Sequence, residues 1–362
     1  MYRFYRHAKE RGLPESLDSL AQRLKRSGYM TVGMITNPNL KRVFNFDRGF
    51  DSYEEIFAGN RFGPATRVSS SAVRFLTFEL NRPFFLYLHY MDVHGPYNPP
   101  AAYRSCLGTT WPNATFNVQR WVIWEAVTKK SPKDVPKLYR HMTDLYDCSL
   151  RYLDDQLNRV LMALREQDLL KETIVVITSD HGEEFLEHGE TGHQGQLYGE
   201  LLRVPLIIHV PGQEPGEIVP LVRNFDLMPT LLELAGVEHD AGEFDAMSLR
   251  PLLSGSTKVL PRHVFANFPM LRMYRDSRYK ILEGVNGHIR VFDLLSDPGE
   301  LDPLRGQAIR VPRVNALRTA YLETVQSLES RYGDRFPVEN DNTVSTGDPL
   351  KVRQLDLKDV DQ

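Results

Sequence analysis

Residues 179–193 read SDHGEEFLEHGETGH, five carboxylates and three imidazoles within fifteen positions. Carboxylate oxygen and imidazole nitrogen are the ligands that hard and borderline divalent cations take. Asp180 and His181, adjacent at the head of this stretch, are therefore candidate metal ligands. Gly182 behind them suits a backbone that must turn sharply straight after the ligands. The same residues also fit an acidic helix start, with Glu183 and Glu184 set against the helix dipole. A second candidate is His94, within the proline-rich stretch YMDVHGPYNPP at 90–100. An imidazole stiffened between Asp92 and Gly95-Pro96, with an unperturbed pKa of about 6.5, has the chemistry of a general acid. A solvent-exposed or capping histidine fits that spacing equally.

The flanking sequence names the elements that must position these groups. Ile174, Val175, Val176 and Ile177 form a short β-branched run without alternation, the pattern of a strand buried on both faces of a parallel sheet. The run FFLYLH at 84–89 is of the same type, and residues 31–36 read as a third strand. Helices are predicted over 13–24, entered at Pro14-Glu15-Ser16 and ended by Gly28, then over 69–80, 145–164 and 226–234, the last closing at Gly236. A further buried strand is predicted within 201–208. Helices alternating with buried strands argue for an open, mostly parallel α/β sheet, whose ligands sit beyond the carboxyl ends of its strands. Asp180 and His94 are then expected at the same edge. From Val264 the pattern becomes short and alternating, with strands at 279–283 and 289–294 around Asn286-Gly287 and an amphipathic helix over 311–330.

The expected organisation is an α/β catalytic domain over 1–260, an antiparallel carboxyl-terminal subdomain with its helix over 261–335, and a disordered tail over 336–362. Periodic signals lapse between Cys106 and Tyr139, where Trp111, Trp121 and Trp124 all fall. That insert reads either as a substrate-facing lid or as a satellite hydrophobic cluster. Asn113-Ala114-Thr115 matches a glycosylation acceptor, relevant only to a secreted chain.

With 362 residues, 41% hydrophobic and 25% charged, the composition is that of an ordinary globular protein. A net charge of -3 gives no case for nucleic acid or an anionic membrane as partner. No apolar run approaches the roughly 20 residues of a membrane-spanning helix. Two cysteines, Cys106 and Cys148, are too few for a disulfide scaffold and leave the redox compartment open.

Several motifs in fixed order carry a resemblance: Arg48-Gly49-Phe50-Asp51, His94-Gly95-Pro96-Tyr97, Ser179-Asp180-His181-Gly182-Glu183, His188-Gly189, Arg203-Val204-Pro205-Leu206, Asp226-Leu227-Met228-Pro229-Thr230, and Asp297-Pro298-Gly299-Glu300. With these the chain resembles the sulfatase family of the alkaline phosphatase superfamily. The resemblance implies a core α/β sheet flanked by helices, a smaller carboxyl-terminal domain, and metal-dependent hydrolysis of sulfate esters, small or carbohydrate. By position it implies Asp180 and His181 as metal ligands and His94 as the group that protonates the leaving oxygen. His193 lies beside a family contact to the substrate anion, where Gln194 is matched. The cation is calcium in many family members, while an imidazole ligand favours manganese or zinc.

Two departures bear on activity. The family's opening metal-binding aspartates and its Cys-x-Pro-x-Arg or Ser-x-Pro-x-Arg nucleophile motif do not occur in these residues. Cys106 is followed by Leu-Gly-Thr and Cys148 by Ser-Leu-Arg, so neither is that nucleophile. A Lys-x-His pair found in many arylsulfatases is replaced by Thr36 and Pro38. A phosphoesterase, phosphonate monoester hydrolase or phosphoryl transferase of the same superfamily stays open, as does a non-catalytic binding module on the same fold. The residues as written are expected to bind metal weakly and not to turn over esters.

Overall fold

The computed structural model describes residues 12–332 apart from 60, 81, 107–134, 194, 241, 258–262, 269–270 and 285–286. The three tryptophans, Asn113, Gln194, Asn286 and the 336–362 tail lie outside the described residues. In chain order the elements are α1 (Leu20–Arg26), β1 (Met30–Ile35), β2 (Ser52–Glu55), β3 (Phe57–Ala58), β4 (Arg61–Phe62), α2 (Ala65–Arg74) and β5 (Phe84–Leu88). There follow α3 (Val135–Glu166), β6 (Val175–Thr178), β7 (Glu184–Phe185), β8 (Thr191–Gly192), α4 (Gly199–Leu202), β9 (Leu206–His209) and α5 (Leu227–Leu234). The chain closes with α6 (Arg250–Leu253), β10 (Val264–Phe268), β11 (Leu271–Arg275), β12 (Tyr279–Gly284), β13 (Ile289–Asp293) and α7 (Pro312–Tyr332). No helix among the described residues is long and apolar enough to cross a membrane.

Two compact units emerge. The first comprises Met1–Val175 with His209–Gln213 and Met228–Ser248. Its sheet has the order β2-β1-β5, parallel throughout, with Val32 beside Ser52 and Met30 beside Phe84. The β1 side chains Val32 and Met34 pack on Val68, Ala72 and Phe75, and on Val160, Ala163 and Leu164 of α3. These are the apolar stripes that the helical spacing predicted.

Helix boundaries differ from expectation for local reasons. Helix α1 starts at a capping box, with Ser19 Oγ accepting the Gln22 N–H at 3.2 Å and Gln22 Oε1 accepting the Ser19 N–H at 3.0 Å. The predicted entry at Pro14 fails because the carbonyls of Leu13, Pro14, Glu15 and Leu17 accept from the Arg48 guanidinium at 2.8–3.3 Å. Gly28, at φ +89°, follows that helix as expected. Helix α2 begins four residues earlier than predicted, its first N–H donated to Asp92 Oδ1 at 3.1 Å. Helix α3 begins ten residues before the predicted start, with Pro136 in its first turn.

The second unit comprises Val176–Ile208, Glu214–Leu227 and Leu249–Gln362. Strand β6 pairs with β9. Its residues are only half-buried and Thr178 is exposed, which corrects the expectation of a strand buried on both faces. The residues Leu201 and Leu202, expected in a strand, turn as the short α4 instead. The carboxyl-terminal sheet has the order β10-β11-β12-β13, antiparallel, with Tyr279 opposite Asp293 and Glu283 opposite Ile289. One face of this sheet packs Tyr274, Ile281 and Val291 on Val314, Leu317 and Tyr321 of α7, and the other packs Met273, Leu282 and Phe292 with Leu197 and Tyr198. The predicted α/β class, with a carboxyl-terminal antiparallel sheet, is the one observed.

Candidate active site

In the second unit the chain leaves β6 through Ser179, Asp180, His181 and Gly182. Asn224 Nδ2 donates to the Ser179 carbonyl at 2.8 Å, and Ser179 Oγ donates to the His181 carbonyl at 2.7 Å. The Asp180 carboxylate is 71% exposed and accepts the His181 N–H at 3.1 Å. Imidazole Nδ1 of His181 lies 2.8 Å from the Gly182 carbonyl oxygen, to which it donates. Nε2 is then the nitrogen with a lone pair, and it lies 3.7 Å from Asp180 Oδ1. That separation is too long for a hydrogen bond and suits two ligands of one cation. A backbone carbonyl on the far ring nitrogen is the usual way a ligating histidine is oriented.

Gly182 has a different reason from the predicted turn. A Cβ there would stand 1.9 Å from the Glu200 carbonyl oxygen, and its N–H donates to the Leu201 carbonyl at 2.8 Å. Close backbone approach, not a left-handed conformation, requires the glycine.

Beyond Gly182 the acidic stretch is a hairpin, not a helix start. Glu184 pairs with Gly192 and Phe185 with Thr191 in β7 and β8. His193 then reaches Glu183, Nδ1 to Oε1 at 2.9 Å, and its ring stacks on that of His181 with centroids 4.1 Å apart. Asp180, His181 and His193 are thus brought together at the end of β6.

Among the described residues, one group of three has ligand atoms mutually within reach of a single ion: Glu184, His188 and Glu200. Its geometry is that of a hydrogen-bonded clamp. Glu184 Oε1 accepts the backbone N–H groups of His188 and Glu190 at 3.1 and 2.9 Å. His188 Nδ1 lies 2.6 Å from Glu200 Oε1 and Nε2 lies 3.3 Å from the Glu300 carbonyl. Acceptors at both nitrogens require both to carry protons, and an imidazolium has no lone pair for a metal. Burial alone lowers the His188 pKa, but the hydrogen bond and charge of Glu200 outweigh it and raise the value. The ring lies flat on Tyr198, with centroids 3.5 Å apart. Glu300 in turn holds Lys280 at 2.6 Å in a buried ion pair.

In the first unit, His94 stands on the loop leaving β5. Its backbone N–H donates to the Met91 carbonyl at 3.0 Å, and Nδ1 lies 2.6 Å from the Gly95 oxygen. Phe62 meets the ring edge-on at 5.3 Å. Asp92, two residues earlier, is buried, which pushes its pKa up to about 6 although the Ala65 N–H favours the ionised form. The loop is lashed to α3 by Tyr103 Oη donating to Asp155 at 2.8 Å and by a disulfide between Cys106 and Cys148. Thr36, in the place of the missing lysine, is fully buried and donates to the His89 carbonyl at 3.0 Å.

The family model "Sulfatase" matches residues 1–237. The chain belongs to the sulfatase family. The model "N-sulphoglucosamine sulphohydrolase, C-terminal" matches 187–326 of this sulfatase. It is 27% identical over 283 residues to "Uncharacterized sulfatase YidJ" of Escherichia coli (strain K12), covering 73% of this chain and 56% of that protein. To "Arylsulfatase K" of Gallus gallus it is 28% identical over 303 residues, covering 73% of this chain and 54% of that one. The sulfatase described here thus spans about half the length of the curated relatives it matches. Its fold is similar to that of a protein solved in complex with its substrate D-glucosamine-2-N,6-O-disulfate, at TM-score 0.72 and 18% identity, covering 92% of this chain and 86% of that one. The phosphonate monoester hydrolase of Agrobacterium radiobacter matches at TM-score 0.66 and 18% identity, covering 88% and 81%.

Sequence reasoning missed the Glu183–His193 contact, the His188 clamp and the disulfide. Only the first had a local signal, a hairpin whose alternation is two residues long on each side.

Proposed function

We propose that this sulfatase binds the sulfate ester of a sulfated sugar and supplies part of a metal-dependent hydrolytic site. Asp180 and His181 hold a divalent cation, His193 meets the anionic ester group, and His94 protonates the leaving oxygen. The observation that carries the reading is the 3.7 Å separation of Asp180 Oδ1 and His181 Nε2, with Nδ1 turned to the Gly182 carbonyl. A cation held there neutralises charge on the ester oxygens. The imidazole favours manganese or zinc over calcium. His94, its Nδ1 held 2.6 Å from the Gly95 oxygen on the loop after β5, is the group assigned to protonate the leaving oxygen. Sulfated sugar as the ester class is supported by the name of the matched carboxyl-terminal family model and by the substrate in the structural neighbour.

The test reads binding. Titration calorimetry with manganese, zinc and calcium chlorides should give the first two tighter than the third. Asp180→Ala or His181→Ala should each weaken manganese by more than about tenfold. Tighter calcium than manganese, or unchanged manganese binding in both variants, refutes the assignment. The buried Thr36 in place of the arylsulfatase lysine favours a second reading, a phosphate or phosphonate ester. Inorganic phosphate displacing inorganic sulfate at equal concentration would decide for it.

A further inference from the structure

We propose that Glu183 is the positioning residue of the candidate site, holding the His193 ring by Nδ1 in a fixed orientation beside His181 and toward the ester. The placement follows from the hairpin. In the β7–β8 ladder Glu184 stands opposite Gly192 and Phe185 opposite Thr191. One step outward in that register, Glu183 stands opposite His193, and directly opposed residues of an antiparallel pair bring their Cβ atoms within about 5 Å. The register is pinned from inside, because Glu184 Oε1 accepts the N–H groups of both His188 and Glu190 across the turn. Gly192, at φ +86°, precedes His193, and a Cβ built on it would lie 3.5 Å from Glu183 Oε1.

The chemistry of the contact is directional. Glu183's side chain is 7% exposed and that of His193 is 27% exposed, with Nδ1 and Oε1 2.9 Å apart. An ionised carboxylate only accepts, so the imidazole donates from Nδ1. The donated N–H and the two-atom line from Oε1 to Nδ1 fix the ring plane. The same ring stacks on His181 at a centroid distance of 4.1 Å and an interplanar angle of 29°. Glu183 therefore sets the orientation of a ring in contact with a proposed metal ligand, without touching substrate itself.

This inference rests on the proposed role of His193, and its test separates the two. The whole chain, labelled with 15N-histidine, is compared with Glu183→Leu, which removes both oxygens at similar volume, and with Glu183→Gln, which keeps an acceptor. A His193→Gln variant assigns the signals. Long-range 1H–15N spectra of the imidazoles should show His193 protonated at Nδ1 in the unaltered chain and in Glu183→Gln. Glu183→Leu should show a mixture of tautomers, with sulfate, titrated as the sodium salt, bound about tenfold more weakly. A His193 pattern in folded Glu183→Leu identical to that of the unaltered chain overturns the proposal. So does unchanged sulfate affinity in that variant when His193→Gln has lost it. If His193→Gln binds sulfate as the unaltered chain does, the assigned role of His193 falls and presentation to the ester falls with it. The hold of Glu183 on the ring is then judged by the spectra alone.

Discussion

Gly182 couples the stability of the second unit to the geometry of its site, and Gly182→Ala tests that coupling. An added Cβ must move from 1.9 Å to at least 3.0 Å from the Glu200 carbonyl oxygen, a displacement of about 1.1 Å. The obstacle is backbone, flanked by the Glu200 carbonyl carbon at 3.0 Å and Leu201 Cα at 3.3 Å, so no side-chain rotation relieves it. Moving the strand end also stretches the 2.8 Å hydrogen bond from the Gly182 N–H to the Leu201 carbonyl. Overpacking of this kind costs about 1–3 kcal/mol and the lost hydrogen bond about 1 kcal/mol more. His181 and Asp180 are one and two residues back along the chain, and a shift near 1 Å at a site costs on the order of a hundredfold in function. Urea denaturation should therefore show Gly182→Ala destabilised by about 2–4 kcal/mol, with manganese affinity down by more than tenfold. Gly216→Ala, where no atom lies within 4 Å of the new carbon, is the control and should be near neutral. Two alanine variants of equal stability, or wild-type manganese binding in Gly182→Ala, would refute the reasoning.

Three further perturbations have defined outcomes. Asp92 has a folded pKa of about 6 against an ordinary 3.8, raised by burial, so its contribution to stability is full below about pH 3.8 and lost as pH rises toward 6. The stability of Asp92→Asn relative to the unaltered chain should thus rise by up to about 3 kcal/mol between pH 4 and pH 7, read from urea midpoints, and a flat difference counts against the burial argument. The Lys280–Glu300 pair, 2.6 Å apart with side chains 1% and 2% exposed, should make Lys280→Met or Glu300→Gln cost about 3–5 kcal/mol singly, with the double variant recovering much of that in a double-mutant cycle. Reducing the Cys106–Cys148 disulfide, which spans 42 residues, should cost about 4 kcal/mol by loop entropy, and a non-reducing peptide map should show the two cysteines linked.

What could be read from the residues alone was whatever depends on neighbours in the chain. The β-branched run before Asp180, the apolar stripe of α3, the φ +89° glycine after α1 and the alternating strands β12 and β13 are written at spacings of two to four residues, where covalent geometry dictates which side chains share a face. Asp180 and His181 were found together because they are bonded together, and the family motifs gave them their chemistry. The fold class followed from the alternation of the same local signals. Boundaries slipped where a distant group decided them, as when Arg48 took the carbonyls of 13–17 or Asp92 capped α2 from 27 residues away. The exposed side of β6, the reason for Gly182, the disulfide across 42 residues and the reach of His188 to Glu300 across 112 belong to tertiary structure. Each joins atoms whose approach costs loop entropy that only the packing of the whole unit repays, so no local spacing records it.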